Sequence, residues 1–486
     1  MKTNVLGSYL LTILSGNKRY AHITAIRHDK VNPGLLGMTK IYSEDTVRRA
    51  FQDVEKDVCE KWLLHHLEKC YCPFLKEHWI LDIDTTVKPL YGHQEGAEIG
   101  YNPKKPGRPS HIIHSYMMAE TRIILDSEVQ PGTHGPSSYS MPRLLEMLDS
   151  WSLEEKPSLV RGDCAFGNEN VLSTLEERNV DYLFKMKQTK KVKTLIDLVN
   201  KKDSKWSNAG QGWEGITSEL KLFGWKKARR VVILRRPLKE KKQKSLRRKK
   251  EEQNLWLPGF EWAGLQTNYE YSVLVTSLDE QALKNIWDKR ADKGKAIQQP
   301  MANDEILLGD DGCNKKCPAV CQKDLPEIAQ PFDFILSIAQ LYRDRATCEN
   351  NFDELKNQWG WGGFMTQDLL RSQISARIVT LIYNWWSLFT RWVDSSKHRE
   401  GITSRPLMLH GCARKISHGG KTIIKITHLH AKRKKIQESM FLIQRFLNAL
   451  KKYTQQILTP LDRWRLILSE IFKGFLGGRI LRCDSG

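Results

Sequence analysis

Apolar and polar residues alternate with a period of two along 78–87, His-Trp-Ile-Leu-Asp-Ile-Asp-Thr-Thr-Val. That period predicts a strand with Trp79, Leu81 and Ile83 on one face and Ile80, Asp82 and Asp84 on the other. Residues 111–118 and 122–129 are β-rich runs with a connection short enough for a hairpin. Residues 158–163 read as a short buried strand that ends at Asp163, just before Gly167, and 182–186 as another. Helical periodicity fills the gaps at 142–150 and 169–178.

The longest helical signals lie at the two ends of the chain. Ser43-Glu44-Asp45 opens a predicted helix over 46–68, with Ser or Asp suited to its N-cap. A preceding helix over 6–16 and a turn near Pro33-Gly34 suggest a helix-turn-helix with Arg48 and Arg49 toward DNA; a plain helical packing unit fits the same pattern. Residues 374–392 are strongly apolar and predicted to pack behind the helix that carries Glu349, with DNA contact as the alternative. Residues 436–486 read as helix of mixed charge.

Between these lies Tyr342-x2-Arg345-x3-Glu349-x6-Lys356. At 3.6 residues per turn, Arg345, Glu349 and Lys356 fall within about 60° of Tyr342 around one helix axis. Leu341, Cys348, Phe352 and Leu355 form an apolar stripe beside them. One carboxylate thus sits among cationic and phenolic groups next to a packed face. Asp84 within a strand and Asp163 at a strand end can join Glu349 around divalent cations, and hard oxygen donors suit Mg²⁺ or Mn²⁺. Asp82 shares a face with Asp84 and is the rival first ligand.

Asp84, Asp163 and Glu349 resemble the acid triad of DDE transposases. The Y-R-E-K spacing is similar to the signature of one large branch of bacterial insertion-sequence transposases. Within it, LDIDTTVKPLYGHQEGAEIGYNPKKPGRPSH, RGDCAFGNENV, YRDRATCENNFDELKNQWGWGGF and YNWW resemble segments of the insertion sequence thirteen-eighty family. The resemblance implies a two-metal phosphoryl-transfer enzyme that cuts DNA at its element's ends and joins the 3′-ends to target DNA. Asp84, Asp163 and Glu349 would be both catalytic and metal-binding. Tyr342, Arg345 and Lys356 would hold the DNA backbone, and a homodimer would act on paired ends in a bacterial cytoplasm. A metal-dependent nuclease without strand transfer, or a catalytically silent DNA-binding remnant, is the alternative.

Composition agrees with a phosphate-binding protein. The 486 residues carry 77 Lys+Arg against 56 Asp+Glu, a formal charge of +21, the usual footprint of nucleic-acid contact. Lys104, Lys105 and Arg108 crowd a Gly/Pro-rich loop, and Arg247, Arg248, Lys249 and Lys250 end a dense basic run over 239–250. Both are candidate DNA contacts. The tryptophans 206, 213, 225, 256 and 262 could include a base-stacking wedge, although core packing suits each of them. Cys313-x3-Cys317-x3-Cys321 and the group His65, His66, Cys70, Cys72 lack the companion ligands of a zinc finger. No run of 18 apolar residues predicts a membrane span, and the short apolar stretch at 8–14 lacks a signal-peptide cleavage site.

The expected fold class is α/β: an RNase H-like catalytic core interrupted by a mostly β insertion domain, with helical N- and C-terminal regions. The boundaries drawn are 1–75 for the helical N-terminal DNA-binding region, 76–190 for the first part of the core and 191–325 for the insertion. Residues 326–400 supply the catalytic and packing helices, and 401–486 the C-terminal helical region. Within the insertion, 217–223, 230–235 and 271–276 are the strand-like pieces.

Overall fold

The computed structural model describes residues 2–201, 205–238, 269–298, 332–364, 366–394, 398–410, 413–427, 430–454 and 459–481. The basic run at 239–250, Trp256, Trp262 and the three-cysteine set at 313–321 lie outside them. The fold is mixed α/β, with helices packed around a nine-stranded sheet.

In chain order the strands are β1 (Ile80–Pro89), β2 (Ser110–Met118), β3 (Ile123–Pro131), β4 (Leu159–Gly162) and β5 (Tyr182–Lys185). They continue with β6 (Ser207–Gly210), β7 (Trp213–Leu220), β8 (Arg229–Pro237) and β9 (Tyr269–Thr276). Their spatial order is β3-β2-β1-β4-β5-β9-β8-β7-β6. β1, β2 and β3 pair antiparallel, whereas β4 runs parallel to both β1 and β5. The strands of the 191–325 segment continue this sheet, because β9 pairs antiparallel with β5.

Strand register sets where the acids stand. β1 and β4 pair only from Ile80↔Leu159 to Asp82↔Arg161. Beyond that point β4 ends, and Asp84 and Asp163 each lie two residues past the last pair. They emerge together at the C-terminal ends of parallel strands, the edge where open α/β sheets place their ligands.

β3 is an edge strand, and a helix covers it. The 25-residue helix Leu369–Val393 lays Asn384 and Gln373 against its backbone. Asn384 accepts from Ile124 N at 3.0 Å and donates to Ile124 O at 2.8 Å, while Gln373 donates to Ser127 O at 2.9 Å and accepts from Val129 N. Side-chain amides thus satisfy edge groups that would otherwise recruit another strand. This gives the YNWW string a structural task. Tyr383 also donates to Asn351 Oδ1 at 2.5 Å and Trp386 to Ser404 Oγ at 2.8 Å, so the apolar helix packs behind the 346–354 helix as expected.

Two expected helices are broken. Residues 46–68 form Glu44–Gln52 and Lys56–Tyr71. Ser43 caps the first by accepting from Thr46 N at 3.4 Å. The first packs on the Lys2–Leu14 helix and the second on β3 and Leu369–Val393, so the chain must turn between them. The Y-R-E-K segment is likewise not one helix but Phe334–Arg343, Ala346–Glu354 and a π-helical turn, Leu355–Trp359. At the first break Asp344 is caught between Gln340 (2.7 Å) and Arg290 (2.9 Å). The backbone there tightens to Arg345 N→Tyr342 O at 3.2 Å and Cys348 N→Arg345 O at 2.9 Å. The apolar stripe survives the break: Leu341, Cys348, Phe352 and Leu355 are all buried.

The N-terminal helices share this core. Tyr9 meets Phe364 edge-on at 4.8 Å, and Tyr20 bonds Ser375 Oγ at 2.8 Å. The WGWGGF string forms the joint. Gly360, at φ +98°, ends the π-helical turn. A Cβ on Gly363 would stand 1.7 Å from Lys18 O, so only glycine admits that backbone contact.

Candidate active site

The same face of β1 presents two aspartates in different surroundings. Asp82 is fully buried. Arg161 grips it with two bonds, Nε to Oδ1 at 2.7 Å and Nη2 to Oδ2 at 2.8 Å, and also donates to Leu341 O. The carboxylate's acceptors are therefore engaged inside the sheet. Asp84 lies one pleat further out and keeps a small exposed edge of 8 %. Thr85 N donates to its Oδ1 at 2.7 Å, and Arg345 Nη2 pairs with its Oδ2.

Arg345 Nη1 reaches on to Glu349 Oε1 at 3.0 Å. One guanidinium thus bridges two of the three predicted acids, and it is buried apart from 4 % of its side chain, while Glu349 is 65 % exposed. Its Nε has no hydrogen-bond partner among the described residues. Asp163 follows β4, is half-buried and accepts from Ala165 N at 2.9 Å, a bond that fixes its carboxylate at the strand end.

Asp84 feels the other two acids. Burial first, and then the charges of Asp163 and Glu349 against the opposing pull of Arg345, push the Asp84 carboxyl up to about 7. Tyr342 stands beside them, its phenol pushed up to about 12, chiefly by burial. Among the described residues, no three His, Cys, Asp or Glu side chains form a metal cage. The donor set nevertheless suits a hard divalent cation, being all carboxylate oxygen, and a positive group, Arg345, already lies between two of its members.

Lys356 donates to Val87 O at 2.8 Å and Lys88 to Gly363 O at 2.9 Å. Lys356 thus ties the end of β1 to the π-helical turn, and Lys88 ties it to the WGWGGF string that follows. Burial lowers each to about 8, with nearby Lys104 adding to the effect at Lys356. Arg345 and Lys356, read from the sequence as phosphate ligands, thus spend donors on Asp84, Glu349 and Val87. Contact with a phosphate requires them to exchange those bonds. Sequence reasoning missed Lys88 and Arg161, whose partners are distant in the chain.

Lys104, Lys105 and Arg108 are exposed. Lys105 bonds the Tyr91 hydroxyl, and Lys105 and Arg108 cover the Tyr91 ring at 5.0 and 4.8 Å. Arg48 lies over the Tyr20 ring at 5.7 Å. Together with Lys18, Arg19 and Lys356 it lines a cleft of about 450 Å³. Trp206 and Trp213 are capped by Arg235 and Arg236 at 3.9 and 4.7 Å, and Trp225 is buried under Arg229. Cys70 and Cys72 bond His66 O and Glu68 rather than one another. No helix among the described residues is long and apolar enough to cross a membrane.

A family model described as a transposase DDE domain matches residues 75–385, a span that contains Asp84, Asp163 and Glu349. Among solved structures, the chain is similar to a piggyBac transposase synaptic complex with hairpin DNA, seen by cryo-EM, with a TM-score of 0.35 and 11% sequence identity. That similarity covers 83% of this chain and 68% of the other. No curated protein matches.

Proposed function

The chain belongs to the DDE transposase domain family, and from that premise we propose that it mobilises an insertion sequence of the thirteen-eighty kind. It binds the element's terminal inverted repeats, cleaves DNA at the ends and joins the freed 3′-ends to target DNA. The observation that carries this reading is the emergence of Asp84 and Asp163 at one sheet edge, with Glu349 joined to Asp84 through Arg345.

Asp84, Asp163 and Glu349 would hold Mg²⁺ or Mn²⁺. Bound metal would supply activation of the attacking water or 3′-hydroxyl and neutralise charge on the leaving 3′-oxygen. Arg345 keeps Asp84 and Glu349 in register until then, in place of the cation's charge. Lys104, Lys105 and Arg108 would hold the DNA backbone as it crosses the sheet edge, where point charges and guanidinium forks suit phosphate oxygens. Tyr342 and Lys356 would flank the scissile phosphate. Asp82, sealed by Arg161, is a structural residue in this reading.

The β3-β2-β1-β4-β5 order, antiparallel then parallel, supports an RNase H-like core, with the 191–325 strands as its insertion. The joining reaction calls for two copies on paired ends.

The test is cleavage and strand transfer on duplexes carrying the element's repeats. Asp84→Asn, Asp163→Asn and Glu349→Gln should each cut the cleavage rate by about 10³-fold or more, since loss of several kcal/mol of charge stabilisation is at stake. End binding should persist in all three. Cleavage retained in Asp84→Asn would remove that residue from the site. Cleavage without joining in the wild type would reduce the protein to a nuclease.

A further inference from the structure

The 401–486 region, expected to be helical, contains a strand pair. β10 (Ala413–His418) and β11 (Lys421–Ile426) form a separate two-stranded antiparallel ribbon. Its turn is Gly419-Gly420, with φ at +55° and +71°. Positive φ at both central residues is what a tight two-residue hairpin turn requires.

Register sorts its charges. Arg414 lies opposite Lys425, Ile416 opposite Ile423, and His418 opposite Lys421. These six residues share one face, because alternate residues point the same way. Arg414, His418, Lys421, Ile423 and Lys425 are exposed. Arg414, Lys421 and Lys425 make no ion pair among the described residues. Lys415 belongs to the other face, and a Cβ on Gly34 would stand 3.9 Å from its Nζ. Ala413, Lys415 and Ser417 on that face are exposed as well, so the basic face of the ribbon is open to a partner.

The chain around the ribbon is uniformly basic. Between Glu400 and Glu438 there is no acidic residue, and nine Lys or Arg occur. A solvated hairpin would gain by placing opposite charges across from each other. This one sets cation against cation at Arg414–Lys425, an arrangement that destabilises a free ribbon and is relieved by an anionic partner. A ribbon also has the right section for the major groove of duplex DNA, which admits two β-strands.

We propose that β10–β11 is a DNA-reading ribbon that enters the major groove of a duplex, a site separate from the acid cluster. Arg414, Lys421 and Lys425 would meet phosphates and guanine edges, and the exposed Ile423 a thymine methyl. The inference rests on the reading that this protein acts on DNA.

The experiment uses the full chain and a fluorescent duplex carrying the element's end, beside a duplex of scrambled sequence. Affinity is measured across salt, and guanine N7 reactivity toward dimethyl sulfate is mapped. The triple change Arg414→Gln, Lys421→Gln, Lys425→Gln should weaken binding at least tenfold and lower the slope of log K against log salt by roughly 1 to 2, about 0.9 per lost phosphate contact. N7 protection present with the wild type should disappear.

Arg414→Glu separates binding from folding. It creates an ion pair with Lys425, so melting temperature should hold or rise while affinity falls. Unchanged affinity, slope and protection in the triple variant would overturn the proposal. So would a lowered slope with no N7 protection in the wild type, because the ribbon would then touch only backbone. A wild-type protein that binds neither duplex would overturn the DNA reading itself, and the ribbon's role with it.

Discussion

Two aspartate–arginine pairs sit two residues apart on β1, and they do opposite work. Asp82 and Arg161 face each other across paired, parallel strands, and neither has an exposed edge worth counting. Asp84 and Arg345 stand where β4 has ended, and Arg345 shares itself with an exposed glutamate. The residue types are the same. What separates them is whether a second strand continues alongside. A closed pair returns its desolvation cost only while both partners remain. An open one can exchange its cation.

The closed pair should show the largest effect on stability. Asp82→Asn leaves the Arg161 charge unpaired inside the sheet and should cost about 3–5 kcal/mol. Urea denaturation would measure it. A cost below about 1 kcal/mol would mean that water reaches Arg161 and that the contrast between the two pairs is false.

The open pair should show itself through pH. Burial raises the Asp84 carboxyl to about 7 from its ordinary 3.8. An acid whose folded value is raised stabilises the fold fully below its unfolded value and loses that contribution as pH climbs through the folded one. In metal-free buffer the wild type should therefore lose stability between about pH 4 and pH 7 through this group. Asp84→Asn should flatten that part of the profile. An unchanged profile in the variant would place the titration elsewhere.

Arg345→Ala tests the exchange of cations directly. It removes charge-assisted bonds to Asp84 and Glu349 and should destabilise the metal-free protein by about 2–3 kcal/mol. Because a divalent cation would compete with Arg345 for those same acids, added Mg²⁺ should raise the melting temperature of Arg345→Ala more than that of the wild type. Equal shifts in both proteins would show that the guanidinium and the metal do not compete.

These contrasts also mark what could be read from the chain alone. The alternation at 78–87 and the short apolar runs at 158–163 and 182–186 located β1, β4 and β5, because period two is a local property. The family resemblance named Asp84 and left Asp82 as a rival without a physical reason to choose. What distinguishes them physically is the Asp82↔Arg161 register, set by two strands some 80 residues apart in the chain. Helical periodicity found the stripe from Leu341 to Leu355 but not its break, since the Asp344 contact to Arg290 that marks it is also non-local. Residues 413–426 were different. Their Gly-Gly turn between alternating runs was a legible hairpin signal, hidden by the helical segments on either side.

If the open side of β1 is open because DNA passes there, the loop beside it must feel phosphate. Replacing Lys104, Lys105 and Arg108 with Gln should lower the slope of log K against log salt by up to roughly 2.7, about 0.9 for each contact. Fold stability should barely move, because all three are exposed. A slope equal to the wild type's would leave the loop a solvated turn.

The smallest effect should come from the most exposed member of the site. Glu349 keeps 65 % of its side chain in solvent, and its partner is an arginine four residues earlier in the chain. Such pairs contribute about 0.3–0.5 kcal/mol when exposed, so Glu349→Gln should shift stability by less than about 1 kcal/mol. The same change should abolish cleavage if Glu349 serves chemistry and not the fold. Asp82→Asn should give the reverse pattern, a weakened fold with residual cleavage in whatever fraction stays folded. Measuring both variants by denaturation and by cleavage per folded molecule sets the closed pair against the open cluster. Should Glu349→Gln unfold the protein while Asp82→Asn abolishes cleavage in a stable one, the assignments of scaffold and site to these two acids would have to be exchanged.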